Sequence, residues 1–425
     1  MNTAHRGAAG QATLVIRNIG ELVTCDPSRG DSPGVVRDAT IAASGATILA
    51  VGTARDVSSL NVASDAVEID AGGAAVIPGF VDAHSHLVWL GERSDEYAQR
   101  SAGLSYEEIA AAGGGIRSTV AATAAGSIAE LTHAARTRAA RMIASGTTTV
   151  EIKSGYGIAT DAEMRQLDAA VALRADPGMP DVITTYLPLH AAPPENRTGF
   201  IDHVCTDGLS QAVSRATFVD AFCETGAYTV DECHRLFMAA QELGLRCKVH
   251  AEQRSRSGGA MLAARLGAVS ADHLEHSSDD DHRALAAAGV VAVLLPGAAM
   301  VLGGPPPPGR RLLTAGTTIA LATDCNPGTC YSESMSLMLS LAVATAGITP
   351  AEALVAATRG GAAALALTDR GIIRPGMRCD VAILQGNRWL DLAYHLGAPG
   401  IATVIREGVI VSPALTGNSQ TSPSG

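Results

Sequence analysis

Aromatic residues are scarce in this chain: Phe, Trp and Tyr make up 3% of its 425 residues, against 47% hydrophobic residues overall. A core must therefore be packed mainly with aliphatic side chains and alanine. The formal charge is −11 and there is no Lys/Arg-rich run, which argues against a nucleic-acid surface, because such affinity rests on phosphate neutralisation. No apolar run reaches the ~18 residues of a membrane span, and the N-terminus lacks a basic segment followed by an apolar core and a cleavage site. The eight cysteines, at positions 25, 205, 223, 233, 247, 325, 330 and 379, form no CxxC pair and no compact framework. That usage predicts reduced thiols in a cytoplasm, while the charge and the missing apolar span predict no polynucleotide partner and no membrane. Cys325 and Cys330 flank Asp324, where small-residue packing is expected rather than a nucleophile.

The chain is too long for one ordinary core, but a closed (β/α)8 barrel of TIM type with a small accessory domain fits it. From about Thr13 to Ala71 the sequence reads as short strands: TLVIRN, ELVTC, ATIAASGATILAVG and AVEID. Strand-like CDVAILQ, ATVIREG and VIVSP return at the far end, so both termini are expected to build one small β-sandwich. The predicted parts are residues 1–74 and 371–425 for the sandwich and 75–370 for the barrel. Residues 1–11 and the last dozen are expected to be tails. Eight apolar runs lie between the sandwich halves: AVIPGFVDAH, TTTVEIKS, DVITTYLPLH, TFVDAFCE, LRCKVHAE, AVSADHLE, VVAVLLPG and TIALATDC. Helix-start signatures punctuate the intervals at Ser105–Glu108, Ser127–Glu130, Thr160–Glu163, Thr229–Glu232 and Thr349–Glu352. PPPPG at 305–309 reads as a stiff surface loop.

Several of these runs deliver a polar residue as they end: His84 and His86, His250, His273 and Asp324. Parallel barrel strands present catalytic groups at one rim in this way. Residues two apart in a strand point the same way, so His84 and His86 can face one ion. His84, His86, His250 and Asp324 are therefore the expected ligands of one divalent metal ion, Zn2+ or Fe2+/Fe3+, with a position left for water. His273 either joins them or hydrogen-bonds the attacking water or a substrate carbonyl. Asp324 can also accept the water proton and pass it to a departing nitrogen. Arg93, seven residues beyond His86, can clamp an anionic substrate. Tyr156 and His190 follow the second and third runs, while Asn326, Gly328 and Thr329 extend Asp324 with groups for a second polar end of the ligand. Lys153 follows the second run and is not expected to be carboxylated as a metal bridge.

These residues resemble the amidohydrolase superfamily. The longer motifs SYEEIAAAGGGIRSTV, TTTVEIKSGYG, KVHAEQ with SADHLEH, VAVLLPG and ALATDCNPG are similar to those of the imidazolonepropionase family. That resemblance implies hydrolytic ring opening of 4-imidazolone-5-propanoate to N-formimidoyl-L-glutamate in histidine degradation, and a homodimer. It puts the metal on His84, His86, His250 and Asp324, and the substrate on Arg93, Tyr156, His190, Gln253 and Thr329, with Asn326 and Gly328 around the product. Gln253 stands where many superfamily deaminases place a proton-shuttling Glu, and an amide cannot do that work. The chain departs from the family's pattern at Glu252, Pro188-Leu189, Gly360-Gly361-Ala362 and the RSRSGGA segment. Those near the pocket, Pro188-Leu189 and Arg254/Arg256, leave room for another anionic cyclic amide, such as a hydantoin or lactam acid. The remaining alternatives are an aminohydrolase and a non-catalytic paralogue, the latter disfavoured because every expected ligand is present.

Overall fold

The computed structural model describes residues 10–412 except 31, 105–107, 110–111, 192, 194 and 399. Its chain opens with β1 (Ala12–Val23), β2 (Val35–Ser44), β3 (Thr47–Thr53), β4 (Val62–Asp70) and β5 (Ala75–Pro78). Eight parallel strands follow: β6 (Phe80–Asp82), β7 (Thr147–Lys153), β8 (Asp181–Leu189), β9 (Phe218–Cys223), β10 (Arg246–Ala251), β11 (Ser270–His273), β12 (Val291–Leu294) and β13 (Ile319–Leu321). They pair in chain order, and a parallel bridge from Ser85 to Cys325 brings the last strand back to the first. Each of the expected apolar runs supplies one barrel strand, giving the predicted (β/α)8 architecture.

The terminal strands β14 (Val381–Leu384), β15 (Ile401–Arg406) and β16 (Val409–Ile410) join β1–β5 in a mixed eight-stranded sheet. TLVIRN and ELVTC are one strand rather than two. Asn18 adopts a positive φ at a bulge between Ile16 and Ile19, so the chain bends without turning back. Being long, β1 pairs β2 along one edge and first β4, then β5, along the other, which makes the small domain one continuous sheet. Ala75–Pro78 lies in that sheet, between β1 and β14, so the outer sheet runs four residues beyond the expected boundary at 74.

Ser127, Thr229 and Thr349 form the expected reciprocal caps with Glu130, Glu232 and Glu352. Thr160–Glu163 does not, because Ala159 is the cap and Glu163 turns inward. Its carboxylate accepts the backbone N–H groups of Gly155 at 2.9 Å and Gly157 at 2.5 Å, fastening the SGYG loop that carries Tyr156. Burial pushes that carboxyl up to about 7 despite those bonds. Ser105, residues 1–9 of the N-terminal tail and the whole C-terminal tail lie outside the described residues. The long interval after β6 holds helices Ser94–Ser101, Ile116–Ala125 and Ile128–Ala144. Among the described residues no helix is long and apolar enough to cross a membrane.

Candidate metal centre and substrate pocket

His84 and His86 emerge where β6 ends, His250 near the end of β10, His273 as the last residue of β11, and Asp324 just beyond β13. All are buried. Asp324 Oδ1 lies 3.5 Å from both His84 Nε2 and His86 Nε2. The ring centroids of His84 and His250 are 4.4 Å apart, and His273 sits 5.5 Å from His84 and 5.4 Å from His250. Donor atoms within 4.8 Å of one another form two overlapping trios, His84–His86–Asp324 and His84–His250–His273. His84 is the shared corner, and the geometry admits His273 beside the expected ligands.

The donors suit a divalent cation. Nε2 of His84 and of His250 is buried without any hydrogen-bond partner, a cost that a metal would remove. Burial, reinforced by the charge of Lys153 for His84 and by His190 for His86, pushes both imidazoles well below their ordinary range, so they stand as neutral donors. Burial likewise pushes Asp324 up to about 7, although His250, Asn326 and Thr329 oppose the shift. Glu252, His273, Leu274 and Asp324 all carry positive φ at these strand ends, a backbone strain that concentrates where side chains are aimed for chemistry.

Above this floor a cavity of about 370 Å³ is lined by His86, Arg93, Tyr156, His190, His250, Gln253, His273, Asp324, Asn326, Gly328 and Thr329. His84 is not on its wall but beneath it. Every expected substrate-binding residue reaches this one space, yet they do different things. Arg93 is aimed by Glu96, whose carboxylate takes Nε at 2.9 Å and the NH2 group at 2.8 Å. A Cβ at Gly328 would lie 2.5 Å from Arg93 NH1, so glycine there is what leaves room for the guanidinium. Asn326 is committed to its own loop: Oδ1 accepts the N–H groups of Gly328 and Thr329, both at 2.8 Å, and Nδ2 donates to the Asp324 carbonyl at 2.6 Å. Its side chain shapes the Asp324 loop, where the sequence suggested a ligand contact. Thr329 Oγ1 lies 3.4 Å from Asp324 Oδ2.

His190 stacks on His86 with ring centroids 5.1 Å apart. Its Nδ1 is 3.1 Å from the Gly155 carbonyl, which can only accept, so the proton sits on Nδ1 and Nε2 is left as an acceptor. Burial, reinforced by the neighbouring His250, pushes this imidazole down to about 3, keeping it neutral. Gly155 has φ +119°, and a Cβ there would press on His190 Nδ1 at 2.8 Å. Burial and the neighbouring Asp324 raise the Tyr156 phenol, which stays protonated as a donor. Cys325 and Cys330 are buried thiols whose pKa is raised by desolvation, consistent with packing.

The sequence reading missed part of the wall: Arg100, Phe222, His276 and Leu302 also line the cavity, as does Arg254. Arg100 donates to the Gly328 carbonyl at 3.2 Å. Arg256 faces away, paired to Asp281 at 2.9 Å. Gly304, just before the PPPPG segment, reaches the cavity, so that loop borders the mouth. Also missed were charged residues within the strands, Glu151, Asp220, Lys248 and Asp272, whose signal was an ionisable residue in the middle of an apolar run. A carbamate on Lys153 would set an anion among Glu151, Asp220 and Asp272, so the unmodified ammonium fits where it stands.

The profile of the Amidohydrolase family matches residues 75–413. The imidazolonepropionase of Anaeromyxobacter dehalogenans is 44% identical over 409 residues, covering 95% of this chain and 97% of the relative. That of Mycolicibacterium smegmatis is 41% identical over 403 residues, covering 94% and 98%. Among solved structures, a zinc-bound adenosine deaminase from Xanthomonas campestris superposes with a TM-score of 0.68 at 20% identity, covering 95% of this chain and 93% of its own. Atrazine chlorohydrolase from Arthrobacter aurescens, complexed with zinc, gives 0.67 at 18% identity, covering 95% and 96%. The structural likenesses establish the fold alone, and the sequence relatives establish the narrower kinship: this chain belongs to the amidohydrolase family and, within it, to the imidazolonepropionases.

Proposed function

We propose that the chain opens the ring of 4-imidazolone-5-propanoate with water, giving N-formimidoyl-L-glutamate, at one divalent zinc or iron ion held by His84, His86, His250 and Asp324. One observation carries the reading: an arginine aimed by its own carboxylate partner shares a single cavity with the imidazoles and with Asp324. A cationic clamp for a propanoate and a hydrolytic floor are what this substrate needs, and the relatives described above bear this name. When bound, the cation supplies Lewis acidity and brings a water pKa towards ~7.

The chain's own residues do the rest. Arg93 takes the propanoate carboxylate through paired hydrogen bonds, with the Tyr156 hydroxyl beside it. His190 Nε2 accepts from a ring N–H. His273 holds the carbonyl oxygen as charge builds on it. As the water oxygen bonds to the carbonyl carbon and the carbonyl C–N bond breaks, Asp324 takes the water proton and returns it to the departing ring nitrogen. Gln253 can orient the ring but cannot ferry a proton, which separates this chemistry from deamination.

Freshly prepared imidazolone propanoate, followed by its absorbance beside an ammonia assay, tests the reading. Ring opening without ammonia release supports it; ammonia release, or no turnover with metal loaded, sinks it. A second substrate, an anionic hydantoin or lactam acid, is favoured by one feature, Arg254 on the cavity wall, and the same assay run on those compounds decides between them. We also propose a cytoplasmic homodimer. Eight unpaired cysteines, all but Cys205 buried, support a reducing compartment, and sedimentation of the purified protein checks the assembly.

A further inference from the structure

Beneath the imidazoles, the barrel interior holds a layer of ionisable side chains, every one of them fully buried: Glu151, Lys153, Asp220, Lys248 and Asp272. Lys153 Nζ lies 2.8 Å from Asp220 Oδ2, 3.0 Å from Glu151 Oε2 and 3.4 Å from Asp272 Oδ2. Lys248 Nζ is held otherwise, 2.7 Å from Glu151 Oε2 and 2.8 Å from the Ala83 carbonyl, and stands 3.9 Å from Asp272. Such a layer is a poor way to gain stability, since desolvating each ion costs several kcal/mol before pairing offsets it. Its purpose is better read from what it touches.

Asp272 Oδ2 accepts the His84 Nδ1–H at 2.6 Å, and its other oxygen accepts the Ser270 hydroxyl at 2.6 Å. Asp220 Oδ1 accepts the His250 backbone N–H at 3.2 Å, while Oδ2 lies 3.0 Å from His250 Nδ1. That short contact, though not well aligned, sets the carboxylate against the Nδ1 edge of the ring, away from Nε2. One ammonium therefore bridges two carboxylates, and each carboxylate addresses a different imidazole of the centre.

We propose that Lys153 is a positioning residue for the cation centre: its ammonium locks Asp220 and Asp272 side by side, and through them fixes His250 and His84 with Nε2 turned towards one ion. The proposal rests on the cation reading above and adds a cause for the preorganisation of that site. Outer partners of metal-bound histidines commonly set affinity by 10–100-fold. Lys248 provides the internal comparison, because it carries the same charge in the same layer without joining the two carboxylates.

Lys153→Met and Lys248→Met each delete one buried cation, so both should lower the melting temperature of the metal-free protein. Competition against a chromophoric chelator should then show Lys153→Met holding zinc at least ~10-fold more weakly, with altered visible bands of the cobalt form, while Lys248→Met stays within ~3-fold of wild type. Combining Lys153→Met with Asp272→Asn should cost no more affinity than the worse single change. Equal losses from the two lysine variants, or wild-type affinity in Lys153→Met, would overturn the proposal. Should Lys153→Met fail to fold, Lys153→Met/Glu151→Gln removes one charge of each sign and must show the same weakened binding; wild-type affinity there also refutes the bridge. The downfield Nδ1 proton of His84, observed by NMR in metal-free protein, needs no cation. It should shift in the Lys153 variants and stay in Lys248→Met, so a failure of the bridge is distinguishable from a wild-type protein that takes up no metal.

Discussion

In the outer sheet the inward face is Leu14, Ile16, Ile19, Leu22, Ile41, Val76, Val381 and Ile405, every one apolar and buried. In the middle of the barrel the same kind of inward position holds Lys153, Lys248, Glu151, Asp220 and Asp272. Both regions are β-strands with side chains alternating between faces, so the difference lies in what the strands are asked to hold. The outer sheet gathers both ends of the chain by area removed from water. The barrel centre buries a layer of charge, leaves imidazole nitrogens without partners and bends its strand ends into positive φ, three local costs gathered around one cavity. The outer sheet has strained residues of its own, such as Asn18 at the β1 bulge, but among the described residues its apolar face lines no cavity, whereas in the barrel cost and chemistry meet at one place.

If that division holds, the largest effects on turnover come from the barrel rim with little change in fold. Stripping the protein with a chelator at neutral pH should lower ring opening at least ~10³-fold, with recovery on adding zinc or iron and near-native circular dichroism throughout. Activity surviving a verified loss of metal would break the comparison at its strongest point. Arg93→Ala should come next, raising KM about 100-fold, equivalent to about 2.7 kcal/mol, with metal content unchanged. Gly328→Ala tests the same clamp without touching its charge, because the added methyl would press on Arg93 NH1. About a tenfold rise in KM with kcat held within ~2-fold is expected there; a kcat collapse instead would show that the loop, and not the guanidinium, had moved.

The sequence made the fold legible because each barrel strand is an apolar run, several of them ending in a polar residue, and both ends of the chain carry matching short strands. It was less clear at boundaries. Nothing local in AVIPGFVDAH says that Ala75–Pro78 pairs with β1 and β14 while Phe80–Asp82 pairs with β7, since partners are chosen in space. At the site, His84, His86, His250, His273 and Asp324 could be picked out because histidine and aspartate stand out at strand ends. Arg100 could not, being one more surface-type residue on the helix Ser94–Ser101 until the fold turns it over Gly328. Asn326 was visible, but its part in building the Asp324 loop was not, because an amide that shapes its own turn and one that faces a ligand have the same letter. Glu163 misled in the opposite direction: its Ser/Thr-x-x-Glu spacing spelled a helix cap, but tertiary contact with the SGYG loop offered two N–H donors instead.

The outer sheet should respond in the converse manner to the rim. Ile41→Ala removes a fully buried side chain opposite Ile16 and is expected to cost about 2–5 kcal/mol of unfolding free energy, with kcat/KM per folded molecule unchanged within ~2-fold. A large loss of catalysis in soluble, folded protein would mean that the two regions are coupled.

The smallest effect is expected where the regions meet. Asp181, the first residue of β8, accepts Arg370 NH1 at 2.6 Å and Arg378 NH1 at 3.0 Å, tying the barrel to the segment that leads into β14. Burial alone would raise this carboxyl, but the hydrogen bond and charge of Arg370, joined by Arg378, hold it below the usual carboxylate range. A folded-state pKa below the unfolded value contributes stability that is fully present above the unfolded pKa of about 3.9 and is lost as pH falls through the lower folded value. Asp181→Asn should therefore destabilise the protein by roughly 1–2 kcal/mol at pH 7, discounted for the side chain's partial exposure, and the deficit should shrink as the pH is lowered below about 4. Denaturant melts of both proteins across that range check the sign. A deficit that stayed constant into acid would show that Asp181 acts at this seam by shape, and that the seam, like the outer sheet, is held by packing instead of charge.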